Sequence, residues 1–208
     1  MLKRARDYLI ALSRMCWKRE KQLWKWPRMP GWSPHHRPCP LAIPEGFSTN
    51  GHGWVSEVIG EILVILHEEA NRHSVRMRTD LAEGLPRVMA DRVQLQQVLM
   101  NLMLNGIQAM AETGGVLTIK AQLDQGGRVL ITVSDTGVGL PAAKEEQIFD
   151  AFFTTKPEGG GMGLAISRSI IDSHGGRLWA TPNDGQGATF HFTLPTTTEV
   201  LQEAATGT

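Results

Sequence analysis

At 208 residues, 41% of them apolar, with 21 basic and 21 acidic side chains, the chain is long enough for one ordinary domain plus a short extra segment. Residues 1–50 hold ten Lys or Arg against three acids, about +7, leaving about −7 on residues 51–208, and an acidic body without a basic stripe argues against nucleic acid as the principal partner. No apolar run approaches the roughly 18 to 20 residues of a membrane span or forms a signal peptide, and Cys16 and Cys39 form no motif, so the expected location is the cytoplasm.

Residues 1–50 carry Trp17, Trp24, Trp26 and Trp32 and a Pro every few residues from Pro27 onward. With no helical or strand period, this basic leader is not expected to pack as a domain; it reads as a disordered leader or as the scar of a deletion or of coding read out of frame. From Trp54 the pattern becomes regular: Val55, Val58, Ile59, Ile62, Leu63 and Leu66 recur at helical spacing and predict an amphipathic helix. "SVRMRTDL" and "PRVMAD" read as short strands. Asp91 then stands as an N-cap with Gln94 at capping-box spacing, opening a long helix through "RVQLQQVLMNLMLNGIQAM". Strands are expected at "GGVLTIKAQL" and "RVLITVSD", a short helix near "AAKEEQIFD", another helix from about Gly163 to His174, and closing strands at "GRLWATP" and "ATFHFTLP". The pattern predicts a domain over residues 51–196 and a frayed tail over 197–208. Runs of strands mixed with helices, without strict alternation, predict an α+β domain with helices on one face of a mixed sheet.

Three features bear on chemistry. In the long helix, Gln97, Asn101, Asn105 and Gln108 share one face, opposite the apolar Leu95, Leu99, Leu102 and Met103. Asn is a poor helix former, and its carbonyl oxygen is a neutral hard ligand suited to Mg²⁺ whose charge is balanced by substrate phosphates; the alternative is a solvated polar face. In "VSDTGVGL", Asp135 is followed by Gly137 and Gly139, which lets a carboxylate face a cleft while the backbone passes close to a ligand. In "FFTTKPEGGGMGLAIS", Gly159, Gly160, Gly161 and Gly163 loosen the backbone before a helix whose N-terminal amides favour an anion.

"QVLMNLMLNGIQAM", "DTGVGL", "IFDAFFTTKPEGGGMGLAIS" and "GATFHFTLP" resemble, in order and spacing, the N-box, first glycine box, F-box with second glycine box, and final strand of sensor histidine kinase ATP-binding domains. These belong to the gyrase, heat-shock-chaperone, histidine-kinase and mismatch-repair ATPase superfamily. The resemblance runs over roughly residues 54 to 195 and is nearest to two-component kinases of the oxygen- and nitrogen-sensing type. It implies a two-layer α/β sandwich of the Bergerat kind with ATP between the long helix and a mobile lid. It further implies Asn105 as the Mg²⁺ ligand, with Asn101 as its helper near the phosphates. Asp135 would accept the adenine amino hydrogen, Gly137 and Gly139 would let the backbone approach the base, and Thr189 would support the Asp135 end. Lys156 would reach a phosphate, the amides of Gly161, Met162, Gly163 and Leu164 would face the phosphates, and Phe149, Phe152 and Phe153 would anchor the lid by packing.

Two departures modify that expectation. Where hydrolases of the superfamily place a Glu four residues before the metal-binding Asn, this chain has Asn101, which disfavours hydrolysis relative to transfer. No histidine stands in a phosphoacceptor motif; only His67-Glu68 begins like one, and it lies on the first helix of the domain itself. The expected function is therefore transfer of the ATP γ-phosphoryl group to a histidine on a dimerisation domain in another chain, with a response regulator as indirect partner. The alternatives are a nucleotide-binding remnant or regulatory module without turnover, and an anti-sigma type serine kinase. His174 is expected at a helix C-terminus, where the dipole favours it.

Overall fold

The computed structural model describes residues 54–141, 145–154 and 161–198. Helix α1 (Trp54–Arg72) buries Val55, Val58, Ile59, Ile62, Leu66 and Ala70, the residues that recur at helical spacing. Strand β1 (Val75–Leu81) follows, then α2 (Arg92–Ala109), β2 (Gly115–Leu123) and β3 (Val129–Ser134). A single 3₁₀ turn (Gln147–Phe149), α3 (Gly163–Ser173), β4 (Arg177–Pro182) and β5 (Ala188–Leu194) complete the described order.

The strands form a sheet in the order β1-β2-β3-β5-β4. β1 runs parallel to β2 and the other neighbours are antiparallel. Side chains alternate across it: Leu117, Ile119 and Ala121 of β2 and Val129, Ile131 and Val133 of β3 are buried, whereas Thr118, Leu130 and Thr132 between them are only partly covered. The buried set meets Leu95, Val98, Leu99, Leu102 and Met103 of α2 in one core, which gives a mixed sheet with helices, an α+β fold. Truncating Leu95, Leu99, Leu102 or Met103 to Ala removes roughly 2–5 kcal/mol.

Two expected elements differ. "PRVMAD" forms no strand; Val88 makes one isolated bridge to Thr196. The Met89 amide donates to the Pro195 carbonyl at 3.1 Å, but Pro195 has no N–H to return the bond, so the ladder does not extend on that side. The helix expected near "AAKEEQIFD" is reduced to the 3₁₀ turn, with residues 142–144 outside the described set. The expectations for the leader and most of the tail also lie outside the described residues.

The capping box at α2 is half realised. Asp91 Oδ1 accepts from the Gln94 amide at 2.9 Å, but the Asp91 amide donates to His174 Nε2 at 3.0 Å instead of to the Gln94 side chain.

Candidate nucleotide-binding site

A cleft of about 760 Å³ opens between α2, the end of β3 and the start of α3. Asn101, Asn105 and Gln108 line one wall, so the polar face of α2 points into this cleft. That is the position open to a helix whose opposite face is committed to the core.

Asp135 lies just past the end of β3 and is 3% exposed. One carboxylate oxygen accepts from the Gly137 amide at 2.9 Å, while the Asp135 amide donates to the Ala188 carbonyl at 2.9 Å, one rung beyond the β3–β5 ladder. Burial pushes its carboxyl up from the ordinary value of 3.8, partly offset by backbone hydrogen bonds from Gly137 and Ala188. The close fit here rests on glycines. A Cβ on Gly137 would stand 2.5 Å from the Ala109 carbonyl oxygen, and one on Gly187, at φ +98°, would stand 1.9 Å from the Asp135 carbonyl oxygen. Gly106 serves the same end inside α2, where a Cβ would stand 2.6 Å from Leu117 Cδ1 and 3.4 Å from Asp135 Cβ.

At the other end, α3 begins against α2. Asn101 Nδ2 donates to the buried Ser167 Oγ at 3.0 Å, and a Cβ on Gly163 would stand 2.4 Å from Asn101 Oδ1. Only glycine lets the first turn of α3 come this close. Gly161, Met162, Gly163 and Leu164 line the cleft at that N-terminus, where free amides and the helix dipole favour an anion. The Phe152 amide donates to the Gly161 carbonyl at 2.9 Å.

The cleft thus brings together Asn101, Asn105, Asp135, Gly139, Gly161, Met162, Gly163 and Leu164. Gly137 stands behind Asp135 against Ala109. Thr189 is placed differently: its neighbours Ala188 and Phe190 line the cleft, and it lies on the other face of β5. There its Oγ1 donates to Asn183 Oδ1 at 2.7 Å and lies 2.8 Å from Ser134 Oγ, and Asn183 Nδ2 donates to the Asp135 carbonyl at 2.8 Å. Its link to Asp135 therefore runs through Asn183 and the backbone. Lys156 lies outside the described residues.

Phe149 packs edge-on against Phe190, ring centroids 6.5 Å apart, beneath the Arg168 guanidinium. Phe153 is partly buried against the core. Phe152, expected to pack with them, is 75% exposed, because its backbone turns left-handed at φ 70° and points the ring away. Sequence reasoning also missed Ser167, Asn183 and Gly187. Gly106 carried a readable signal, a glycine inside a strong helical pattern, whereas Ser167 and Asn183 carried none, since their partners lie 66 and 48 residues away.

Residues 90–198 match the family described as "Histidine kinase-, DNA gyrase B-, and HSP90-like ATPase", and the chain belongs to this family. Within it, the domain is an ATP-binding catalytic domain of the sensor histidine kinase type. The chain is 44% identical over 148 residues to the sensor protein FixL of Bradyrhizobium diazoefficiens, covering 70% of this chain and 29% of that protein. It is 42% identical over 145 residues to the sensor protein TdiS of Thauera aromatica, covering 68% of this chain and 26% of that one. The chain therefore spans less than a third of the length of these curated relatives. Among solved structures, the nucleotide-free catalytic domain of histidine kinase ThkA superposes with a TM-score of 0.62 at 36% identity, over 68% of this chain and 94% of that chain. Full-length ShkA in complex with AMPPNP gives a TM-score of 0.62 at 28% identity, over 70% of this chain and 31% of that chain. None of the described helices is long and apolar enough to cross a membrane.

Proposed function

We propose that residues 51–196 are the catalytic unit of a two-component kinase, which transfers the ATP γ-phosphoryl group to a histidine on a dimerisation domain carried by another chain. A response regulator is the onward acceptor, and the reaction takes place in the cytoplasm, with residues 1–50 and 197–208 outside the unit. The observation that carries this reading is the convergence, in one cleft, of the Asn101–Asn105 face, the buried Asp135 and the glycine backbone at the start of α3. A solved neighbour, ThkA, has been captured with the response regulator protein TrrA, which supports the choice of partner.

The residues divide the work by chemistry. Asp135 accepts from the adenine amino group, and Gly137 and Gly139 let the backbone beside it lie against Ala109 and Gly187, where a Cβ would stand 2.5 and 3.2 Å from a carbonyl oxygen. The amides from Gly161 to Leu164 face the phosphates. The donor set fits Mg²⁺ held mostly by phosphate: among the described residues no cluster of three His, Cys, Asp or Glu exists to cage a metal, and Asn105 offers a neutral amide oxygen. Bound there, Mg²⁺ supplies charge neutralisation at the phosphates. Lys156 is assigned to a phosphate, and Thr189, through Asn183, to holding the Asp135 segment. Asn101 has no basic carboxylate, and its amide is committed to Ser167. Without a carboxylate at that position to activate water, hydrolysis is disfavoured relative to transfer to a positioned nucleophile.

The purified chain is expected to bind Mg-ATP, hydrolyse it very slowly and take up no label from γ-labelled ATP. Added histidine-bearing hairpin domains from related kinases should be labelled in acid-labile, alkali-stable form. His67 is exposed on α1, with Nε2 3.0 Å from Asn71 Nδ2. Histidine-type labelling of the chain itself, lost in His67→Ala, would identify it as an acceptor and overturn the assignment of the acceptor to another chain.

A further inference from the structure

We propose that His174 is a positioning residue for the phosphate end of the cleft: its neutral imidazole ties the C-terminus of α3 to the N-terminus of α2 and so fixes how far one helix slides along the other. The inference rests on the ATP-binding reading above.

The two helices run antiparallel, because Asn101 late in α2 meets Ser167 early in α3, while Asp91 before α2 meets His174 after α3. Each tie spans 3.0 Å. Between the two ties both helices bury apolar side chains in the common core, Leu95, Val98 and Leu102 from α2 and Ile171 from α3. Packing of these side chains sets the register coarsely, and the directional bonds at the two ends refine it. The register matters because Gly163 and Asn101 already meet with no room for a Cβ between them.

The hydrogen-bond partners leave His174 one state. Nδ1 is 2.8 Å from the Ile170 carbonyl, which only accepts, so Nδ1 carries the proton. Nε2 is 3.0 Å from the Asp91 amide, which only donates, so Nε2 is bare. The ring is therefore neutral in this contact, unlike the dipole-stabilised cation that a helix C-terminus alone would favour.

The ring also hangs from a fixed point. The Gly175 amide donates to the Asp172 carbonyl at 3.0 Å and the Gly176 amide to the Ile171 carbonyl at 2.9 Å, closing α3 with Gly175 left-handed at φ 68°. Arg128 Nη2 donates to the Gly175 carbonyl, and a Cβ on Gly176 would stand 2.1 Å from the Thr193 carbonyl oxygen. The turn is thus seated on the sheet, and the imidazole carries that anchorage across to α2.

The test places Phe, Asn and Gln at position 174 in the whole chain. Mg-ATP affinity is read by titration with a fluorescent ATP analogue, and the melting temperature is read without nucleotide. His174→Phe, which keeps a ring but no acceptor, should weaken ATP binding about threefold to tenfold, the range of one lost exposed or partly buried hydrogen bond. His174→Gln, whose Oε1 reaches about as far as Nε2, should restore affinity to within about twofold; His174→Asn, which is shorter, should not. If the Phe variant fails to fold, the contrast between Gln and Asn decides. Affinities equal to the unsubstituted chain in all three, even with a lowered melting temperature, would make His174 a helix cap only and overturn the inference alone. Failure of the unsubstituted chain to bind ATP would overturn the proposed function and this inference together.

Discussion

Asn105→Ala is expected to weaken Mg²⁺-dependent ATP binding by about a hundredfold, the upper end for one lost interaction with a charged group. The melting temperature without nucleotide should stay close to that of the unsubstituted chain. Asn105 lies on the cleft wall, half-buried, while the core face of α2 is carried by Leu95, Leu99, Leu102 and Met103. Truncation would therefore remove the proposed ligand without opening a core cavity. Isothermal titration with and without Mg²⁺ separates the two contributions. Unchanged affinity in Mg²⁺ would sink the assignment, and a loss of equal size without Mg²⁺ would show that Asn105 holds phosphate and not the cation.

Asp135→Asn should act in opposite directions on stability and on specificity. The carboxyl is pushed above 3.8 by burial, so its neutral form favours the folded state. That stabilisation is complete below the ordinary aspartate value and is lost as pH rises through the raised one. Asn keeps an oxygen for the Gly137 amide and removes the charge. Without nucleotide, the Asn variant should therefore melt higher than the unsubstituted chain at pH 7, with the gap closing on acidification. The same change should remove the preference for ATP. A carboxylate that accepts from the adenine amino group meets a carbonyl in guanine and is left unpaired, worth about tenfold or more between ATP and GTP. Thermal shifts with each nucleotide read both effects. Equal protection of the unsubstituted chain by ATP and GTP would remove Asp135 from base recognition.

The same buried carboxylate marks where local sequence stopped being informative. "VSDTGVGL" announced an acid in a tight turn, but burial of Asp135 depends on β5 and on Gly187, 52 positions along the chain. Thr189 illustrates the limit more sharply. Its motif pointed to the Asp135 end, whereas strand alternation turns its side chain to the face of Ser134 and Asn183. Phe152 belongs to an apolar trio by sequence, and a left-handed backbone leaves it exposed.

What the sequence determined by itself is what short-range periodicity encodes. The helical spacing from Val55 to Leu66, the Asp91 cap, the divided faces of α2 and the alternation in β2 and β3 follow from side-chain geometry along one element. Motif order added the family and the composition of the cleft. Only the tertiary structure decided which elements meet. It placed β1 parallel to β2, refused a ladder beside Pro195, and gave the Asp91 amide to His174, 83 residues away, in place of Gln94 three residues on. The physical reason is that a hydrogen bond goes to whichever partner the packed core brings within about 3 Å, and distance through space between remote segments is not written in the local pattern.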